Sequence, residues 1–188
     1  PIETVFKPCR SVFVQREVGI DTPSFDMGTV DALRQDPDIL CIGEMRDPKS
    51  IHAALLAAET GHLVLTTLHT RDASKTAQRI ITAFPAADQE GLREQLAMTL
   101  EAVISQELLP RADGKGLIVA VEILIATAAV RQLIRENKLE AINDAIQSGS
   151  QAGMISKDSS IKNLYLKKLI TKETALEHMR NPEVLNSY

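Results

Sequence analysis

Apolar runs alternate with helical patterns through the first two thirds of the chain. This order is typical of an α/β domain with a mostly parallel sheet. Residues 12–15 predict a short strand, and residues 39–42, a continuous apolar run, predict a strand buried on both faces. Residues 62–69 predict the next strand. A helix between the first two runs ends near Leu33, because the proline at position 37 disfavours helix in the residue before it.

Capping residues mark the predicted helix ends. Asp47 and Pro48 fit the N-cap and first position of a helix, and Gly61 fits its end. Asp72 opens another predicted helix. Asp88 begins a long one, in which apolar residues recur at four-residue spacing: Leu92, Leu96, Leu100 and Ile104.

The last third of the chain has a different pattern. Residues 113–116 lie between two apolar runs and predict an exposed hairpin turn. From Thr127 onward only helical patterns occur, at roughly 127–136, 138–147, 158–169 and 171–180, with ends placed to about 2–4 residues. The sequence therefore predicts an α/β core over residues 1–125 and a helical subdomain over residues 126–188.

Composition excludes several classes of protein. Of the 188 residues, 44% are hydrophobic and 24% charged, which is a globular balance. The net charge of −4 and the 3% aromatic content argue against nucleic acid as a main partner. The chain has no apolar run of membrane-spanning length and no signal-peptide pattern, so no direct membrane insertion is expected. Cys9 and Cys41, the only cysteines, form no zinc knuckle or disulfide framework, which fits a reducing cytosol.

Glu44 follows the predicted strand at residues 39–42. Ligand sites of open α/β sheets lie at the carboxyl ends of the strands. A carboxylate there can hold a magnesium-bound water or orient the water that attacks a γ-phosphate. The alternative is that Glu44 and Asp47 only end a strand and cap a helix, and the spacing alone leaves both open.

His62 and His69 bracket the next predicted strand. Seven steps of about 3.3 Å separate them by roughly 23 Å, so they cannot share a metal ion if the strand is regular. His69, at the carboxyl end, is a candidate to sense a γ-phosphate by hydrogen bonding. His62, at the entry end, is expected to be structural or part of an interface.

The sequence contains no phosphate-binding loop. The Walker A pattern G-x-x-x-x-G-K-S/T lies between a strand and a helix. Residues 113–116 (D-G-K-G) do not fit it, because a strand follows them. Four arginines of the α/β part are long enough to reach phosphate, although solvation is the default for each: Arg10, Arg16, Arg34 and Arg79.

Several segments resemble one family. Residues 36–47 (DPDILCIGEMRD) resemble the Walker B region of secretion ATPases, in the form typical of pilus retraction motors. Residues 60–70 (TGHLVLTTLHT) resemble their histidine box. Residues 1–3 resemble the end of their acidic box, and residues 15–19 also fit. The chain is thus similar to the C-terminal half of the PilT-like retraction ATPases of type IV pili.

Residues 129–136 (AVRQLIRE) are similar to the AIRNLIRE stretch of retraction ATPases, with Val130 and Gln132 as departures. The absence of a four-cysteine zinc module disfavours a pilus assembly or type II secretion motor. The alternative is an ordinary amphipathic helix with its apolar face in the core. Both hold if the apolar face packs while Arg131, Arg135 and Glu136 meet a partner. The candidates for coupling in this stretch are Arg131, Leu133, Ile134 and Arg135.

The resemblance implies a RecA-like core without its phosphate-loop strand, followed by a helical subdomain. It implies a cytoplasmic motor at the inner membrane, in which a hexameric ring hydrolyses ATP with Mg²⁺ and acts on the pilus platform protein. Glu44 and Glu3 would be catalytic, with Glu44 reaching the metal through water. His69, Arg16 and Arg34 would contact nucleotide.

Two departures and two alternatives accompany this resemblance. The Walker A segment is absent, so the chain alone is expected to be inactive. Val30 occupies a position where relatives often carry arginine, which puts one contact between subunits in doubt. A different secretion or conjugation ATPase, or a non-catalytic structural or regulatory relative, remains an alternative, although a fragment of a longer motor is the simpler explanation.

Overall fold

The computed structural model describes residues 2–186, which form two compact units divided between Leu68 and His69. The first unit contains two helices and two strands: α1 (Phe25–Ala32), β1 (Ile39–Ile42), α2 (Pro48–Glu59) and β2 (Leu63–Thr66). The strands are parallel, with Ile39 opposite Leu63 and Ile42 opposite Thr66. The sequence predicts a mostly parallel sheet in an α/β domain, and the parallel pairing of these two strands confirms it for this unit.

Helix α2 begins and ends where the sequence predicts. The Asp47 carboxylate accepts hydrogen bonds from the Ser50 amide at 3.0 Å and the Ser50 hydroxyl at 2.9 Å, and Pro48 takes the first position. At the other end, Gly61 has φ +96°, a conformation that glycine adopts without steric cost. The capping role of Asp47 is therefore confirmed.

We expect Asp47→Ala to lower the free energy of unfolding by about 1 kcal/mol, the usual effect of losing an N-cap. Hydrogen bonds from Ser50 lower the pKa of Asp47. The stabilisation is therefore present above the ordinary aspartate pKa and disappears as pH falls through the lowered one. Urea unfolding at several pH values checks this. Asp47→Asn is the matched control, because asparagine caps equally well and should remove only the pH dependence.

The sheet of the first unit is covered on one face only. Leu40 and Ile42 are buried, whereas Ile39 is 56% exposed and Leu63 and Leu65 are also exposed. The prediction that residues 39–42 are buried on both faces is therefore wrong for this chain. Burial on both faces requires a covering layer on each side of the sheet, and the first unit by itself supplies a layer on one side.

Residues 12–15 form no strand, so that prediction is also wrong. The side chain of Gln15 bonds the backbone across the segment, accepting from the Phe6 amide and donating to the Thr4 carbonyl, both at 2.8 Å. The rings of Phe6 and Phe13 stack with centroids 5.4 Å apart. β-Branched residues favour a strand, but a strand also needs a ladder partner, and here side chains make the connections.

Up to residue 186, the second unit contains a hairpin and six helices: α3 (Ala73–Thr82), α4 (Gln89–Thr99), β3 (Ala102–Pro110), β4 (Leu117–Ile125), α5 (Ala128–Arg135), α6 (Ile142–Ser148), α7 (Lys157–Leu166) and α8 (Lys172–His178). Strands β3 and β4 are antiparallel, with Ala102 opposite Ile125 and Pro110 opposite Leu117. Short 3₁₀ turns lie at Leu33–Gln35, Leu139–Ala141, Ser150–Ala152 and Pro182–Asn186. The predicted hairpin, the helix start at Asp72 and the four C-terminal helical segments are confirmed.

The helix that begins after Asp88 is shorter than predicted. It ends at Thr99, Leu100 is extended, and Ile104 lies within β3 with 69% exposure. The four-residue spacing of apolar residues continues by coincidence into the strand. Pairing along all nine residues of β3 outweighs the helical preference of its first few.

One core of the second unit lies against the hairpin. It contains Leu109 and Ala120 from the two strands, together with residues of α7, α8, the turn between them and the position after α8: Ile161, Ile170, Ala175 and Met179. The C-terminal helices therefore share a unit with the hairpin. The domain boundary at residues 125/126 stays a prediction. Among the described residues, no helix is long and apolar enough to cross a membrane.

Candidate active site

The carboxyl ends of β1 and β2 are joined by hydrogen bonds just beyond the strands. The Thr67 hydroxyl donates to the Gly43 carbonyl at 2.6 Å, and the Met45 amide donates to the Thr67 carbonyl at 3.2 Å. These two bonds fix the backbone on both sides of Glu44. The carboxylate is thus placed at the edge of the sheet where α/β folds bind their ligands.

Glu44 forms an ion pair with the arginine two residues later. Its Oε2 lies 2.7 Å from both Nε and Nη2 of Arg46. The side chain of Glu44 is 20% exposed and that of Arg46 72% exposed. The hydrogen bond to Glu44 raises the pKa of Arg46 above its usual value. Sequence analysis missed this pair, although the i, i+2 spacing was visible.

The residues around Glu44 determine how magnesium and phosphate could bind at this edge of the sheet. Mg²⁺ keeps several waters and takes one or two carboxylates plus phosphate oxygens, so a single carboxylate fits an indirect role. No group of three His, Cys, Asp or Glu side chains within residues 2–186 could hold a metal by itself. The residues between β1 and α2 and between β2 and α3 contain no phosphate-loop pattern. Glu44 therefore fits water-mediated contact with a metal held mainly by nucleotide.

His62 binds the end of α2. Its Nδ1 lies 3.1 Å from the Ala57 carbonyl and 3.1 Å from the Thr60 hydroxyl. The Thr60 hydroxyl also donates to the Leu56 and Ala57 carbonyls. With a proton on Nδ1 the ring donates to the Ala57 carbonyl, which lies in the last turn of the helix. A structural or interface role for His62 stays a prediction.

His69 lies in the loop before α3 and not in a strand. Strand β2 ends at Thr66, so the prediction that it continues to residue 69 is wrong. The loop is tied to α3 by a contact of 2.7 Å between the hydroxyls of Thr70 and Thr76. Asp72 ends the loop and caps α3, accepting from the Lys75 amide at 2.7 Å. Contact between His69 and a γ-phosphate stays a prediction.

The remaining candidates of the first unit are exposed. Arg34 lies in the 3₁₀ turn after α1, and Glu3 and Arg16 lie in the segment before α1. That segment is held by its own contacts, one of which joins the Ile2 amide and the Glu17 carboxylate at 3.4 Å. The roles of Glu3, Arg16 and Arg34 in catalysis and nucleotide contact stay predictions.

Both arginines of α5 form contacts within the second unit. Arg131 donates through Nη1 to the carbonyls of Ala97 at 2.7 Å and Met98 at 2.9 Å, and Nη2 lies 3.0 Å from Glu101. It therefore caps the end of α4. Nε of Arg135 lies 3.1 Å from a carboxylate oxygen of Glu94. Ile134 is fully buried, as predicted for the apolar face.

Buried acidic residues of the second unit were also missed. Glu122 is 2% exposed although it lies in an apolar strand, and Asp158 is 7% exposed. The sequence does contain one signal: Glu122 is a lone acidic residue inside an apolar run. Such a residue indicates a carboxylate with partners, because a buried carboxylate is costly without them. The partners lie far along the chain, and no local pattern predicts them.

Comparison with known proteins agrees with this geometry. The sequence profile of the family described as "Type II/IV secretion system protein" matches residues 1–151. The chain belongs to this family. It is 48% identical over 186 residues to the "Twitching motility protein" of Neisseria gonorrhoeae, covering 99% of this chain and 50% of that protein. It is 46% identical to the "Type IV pilus retractation ATPase PilT" of Pseudomonas aeruginosa, covering 97% of this chain and 53% of that protein.

Solved structures give the same result. The crystal structure of the pilus retraction motor PilT with bound ADP matches with a TM-score of 0.87 and 45% identity, covering 99% of this chain and 52% of that one. The ATPase DotB of Legionella pneumophila matches with a TM-score of 0.74 and 29% identity, covering 85% and 43%. The predicted α/β fold and the resemblance to retraction ATPases are confirmed. The chain spans about half the length of these relatives.

Proposed function

We propose that this chain is part of a hexameric ATPase that hydrolyses ATP to drive type IV pilus retraction and twitching motility. The observation that carries the proposal is the similarity to the ADP-bound retraction motor PilT along 99% of the chain. The placement of Glu44 at the carboxyl ends of two parallel strands supports it independently, because that edge is where nucleotides bind in related folds.

Retraction is favoured over pilus assembly by the extent of the matches. The "Type IV pilus assembly ATPase PilB" of Pseudomonas aeruginosa is 35% identical over only 57% of this chain. PilT of the same organism is 46% identical over 97%. Among solved structures, DotB is 29% identical to this chain, whereas the retraction motor PilT is 45% identical. We therefore place the chain with the retraction motors.

In the proposed mechanism Glu44 orients the attacking water or would help to hold Mg²⁺ indirectly, and Glu3 assists as a second carboxylate. Bound Mg²⁺ would neutralise charge on the phosphates. His69 donates a hydrogen bond to the γ-phosphate, and Arg16 and Arg34 contact phosphate at their own or a neighbouring site. The ring would work in the cytoplasm at the inner membrane, against the pilus platform protein.

A chimera tests this proposal. In it, this chain replaces the matched 53% of Pseudomonas aeruginosa PilT, and it is produced in cells that lack PilT. We expect the chimera to hydrolyse ATP and restore twitching, and the isolated 188-residue chain to show negligible magnesium-dependent hydrolysis. A folded chimera with ATPase activity but no twitching would contradict retraction. Robust ATP hydrolysis by the isolated chain, abolished by Glu44→Ala, would contradict the expectation that hydrolysis requires the part of PilT that this chain does not match.

A further inference from the structure

The segment after α8 is joined to the start of α3 by charged side chains. Arg180 Nη1 lies 3.1 Å from Oε2 of Glu122 on β4. Its Nη2 lies 3.3 Å from Oδ2 of Asp72, which caps α3. Arg180 thus connects two carboxylates on separate elements. A planar guanidinium is suited to this arrangement and a lysine ammonium is not.

Glu122 completes the connection. Its other oxygen, Oε1, accepts the backbone amide of Ala73 at 3.0 Å, in the first turn of α3. Glu122 is 2% exposed, so its carboxylate depends on Arg180 and Ala73 for stabilisation. The N-terminus of α3 is therefore held from two directions, through the Asp72 side chain and through the Ala73 amide.

Arg180 is itself fixed by its backbone. The carboxylate of Asp158, at the start of α7, accepts the amides of Arg180 at 2.8 Å and Asn181 at 3.0 Å. Nη1 of Arg180 also donates to Asn143 of α6 at 3.1 Å. A residue whose backbone and side chain are both held by hydrogen bonds can fix the position of the groups that it contacts.

The group positioned in this way is the loop that carries His69. Only Thr70 and Arg71 separate His69 from Asp72, the residue that Arg180 holds. We propose that Arg180 is a positioning residue: with Glu122 and Asp72 it fixes the loop before α3 and keeps His69 in place for the γ-phosphate. This inference rests on the proposed function, because it assumes that His69 contacts nucleotide.

The test uses the chimera and measures kcat and KM for ATP, the Kd for ADP and the melting temperature. Arg180→Ala should lower kcat by about 10- to 100-fold, since a small misplacement of a contact group has effects of this size. The Kd for ADP should not change, because ADP lacks the γ-phosphate. Arg111→Ala is the matched control. Arg111 forms a 3.0 Å ion pair with Asp113 in the hairpin turn, and its loss should leave kcat at the wild-type value.

Asp72→Asn separates positioning from folding. Asparagine caps a helix as well as aspartate does, so α3 keeps its start while the ion pair with Arg180 is lost. We expect kcat to fall with little change in melting temperature. This variant decides the matter if Arg180→Ala does not fold. A folded Asp72→Asn protein with wild-type kcat would overturn the inference.

A double mutant shows whether Arg180 acts through His69. If it does, His69→Ala with Arg180→Ala should be no slower than His69→Ala alone, because effects on one unit are not additive. Multiplying effects would mean that Arg180 acts elsewhere, and the inference would be wrong while the role of His69 stood. Wild-type kcat in His69→Ala, or an inactive parent chimera, would remove the proposed role of His69 and this inference together.

Discussion

Glu44→Gln is expected to reduce ATP hydrolysis in the intact motor by about 10²–10⁴-fold, the usual loss for a catalytic positioning group. Glutamine keeps the shape of the side chain but cannot act as a base or carry the charge that holds a metal-bound water. ATP binding should largely survive, because this sequence contains no phosphate-binding loop, and we expect binding of the phosphates to depend mainly on the PilT part of the chimera. The chimera, assayed for turnover and for binding of a fluorescent ATP analogue, checks both expectations.

The matched control is Glu59→Gln, which makes the same chemical change at the exposed end of α2. It should leave hydrolysis at the wild-type rate. A second comparison, Arg46→Ala, removes the partner 2.7 Å from Glu44 and shows whether that ion pair orients the carboxylate. If Glu44→Gln retained most of its turnover, Glu44 would be only the residue that follows β1, and catalysis would need another carboxylate.

Local signals explain what the sequence predicted well. Asp47 and Asp72 cap helices because their carboxylates accept hydrogen bonds from amides three residues later. Residue spacing alone predicts this contact. The parallel pair of β1 and β2 follows from two short apolar runs joined by one helix. The position of Glu44 at the carboxyl edge of the sheet could therefore be predicted without knowing any contact between distant residues.

Contacts between distant residues explain the errors. Residues 12–15 have strand propensity, but Gln15 bonds the backbone of Phe6 and Thr4, which no strand pattern indicates. The sequence predicts too long a helix after Asp88, because its apolar spacing continues into β3. Only the pairing of β3 with β4 reveals the strand. The carbonyls that Arg131 contacts lie more than thirty positions earlier in the chain. Residue spacing within one helix could not show them.

The capping role of Arg131 changes how coupling between ATPase and pilus should be tested. Its side chain is 22% exposed and supplies a charged donor to two carbonyls at the end of α4. Arg131→Ala should therefore lower the free energy of unfolding by about 1.5 kcal/mol, the low end for hydrogen bonds to charged groups. Loss of twitching in this variant would be ambiguous, because destabilisation alone could cause it.

Arg135 gives the cleaner experiment. Its partner Glu94 is more than half exposed, so Arg135→Ala should change the free energy of unfolding by no more than about 0.5 kcal/mol. If α5 transmits work to the pilus through its charged face, the variant should keep its ATPase rate and melting temperature while twitching fails. Glu94→Gln is the matched control: it breaks the same ion pair but leaves the guanidinium on α5, so twitching should persist. Normal twitching in folded Arg135→Ala would remove Arg135 from coupling, and failure in both variants would assign the effect to the ion pair.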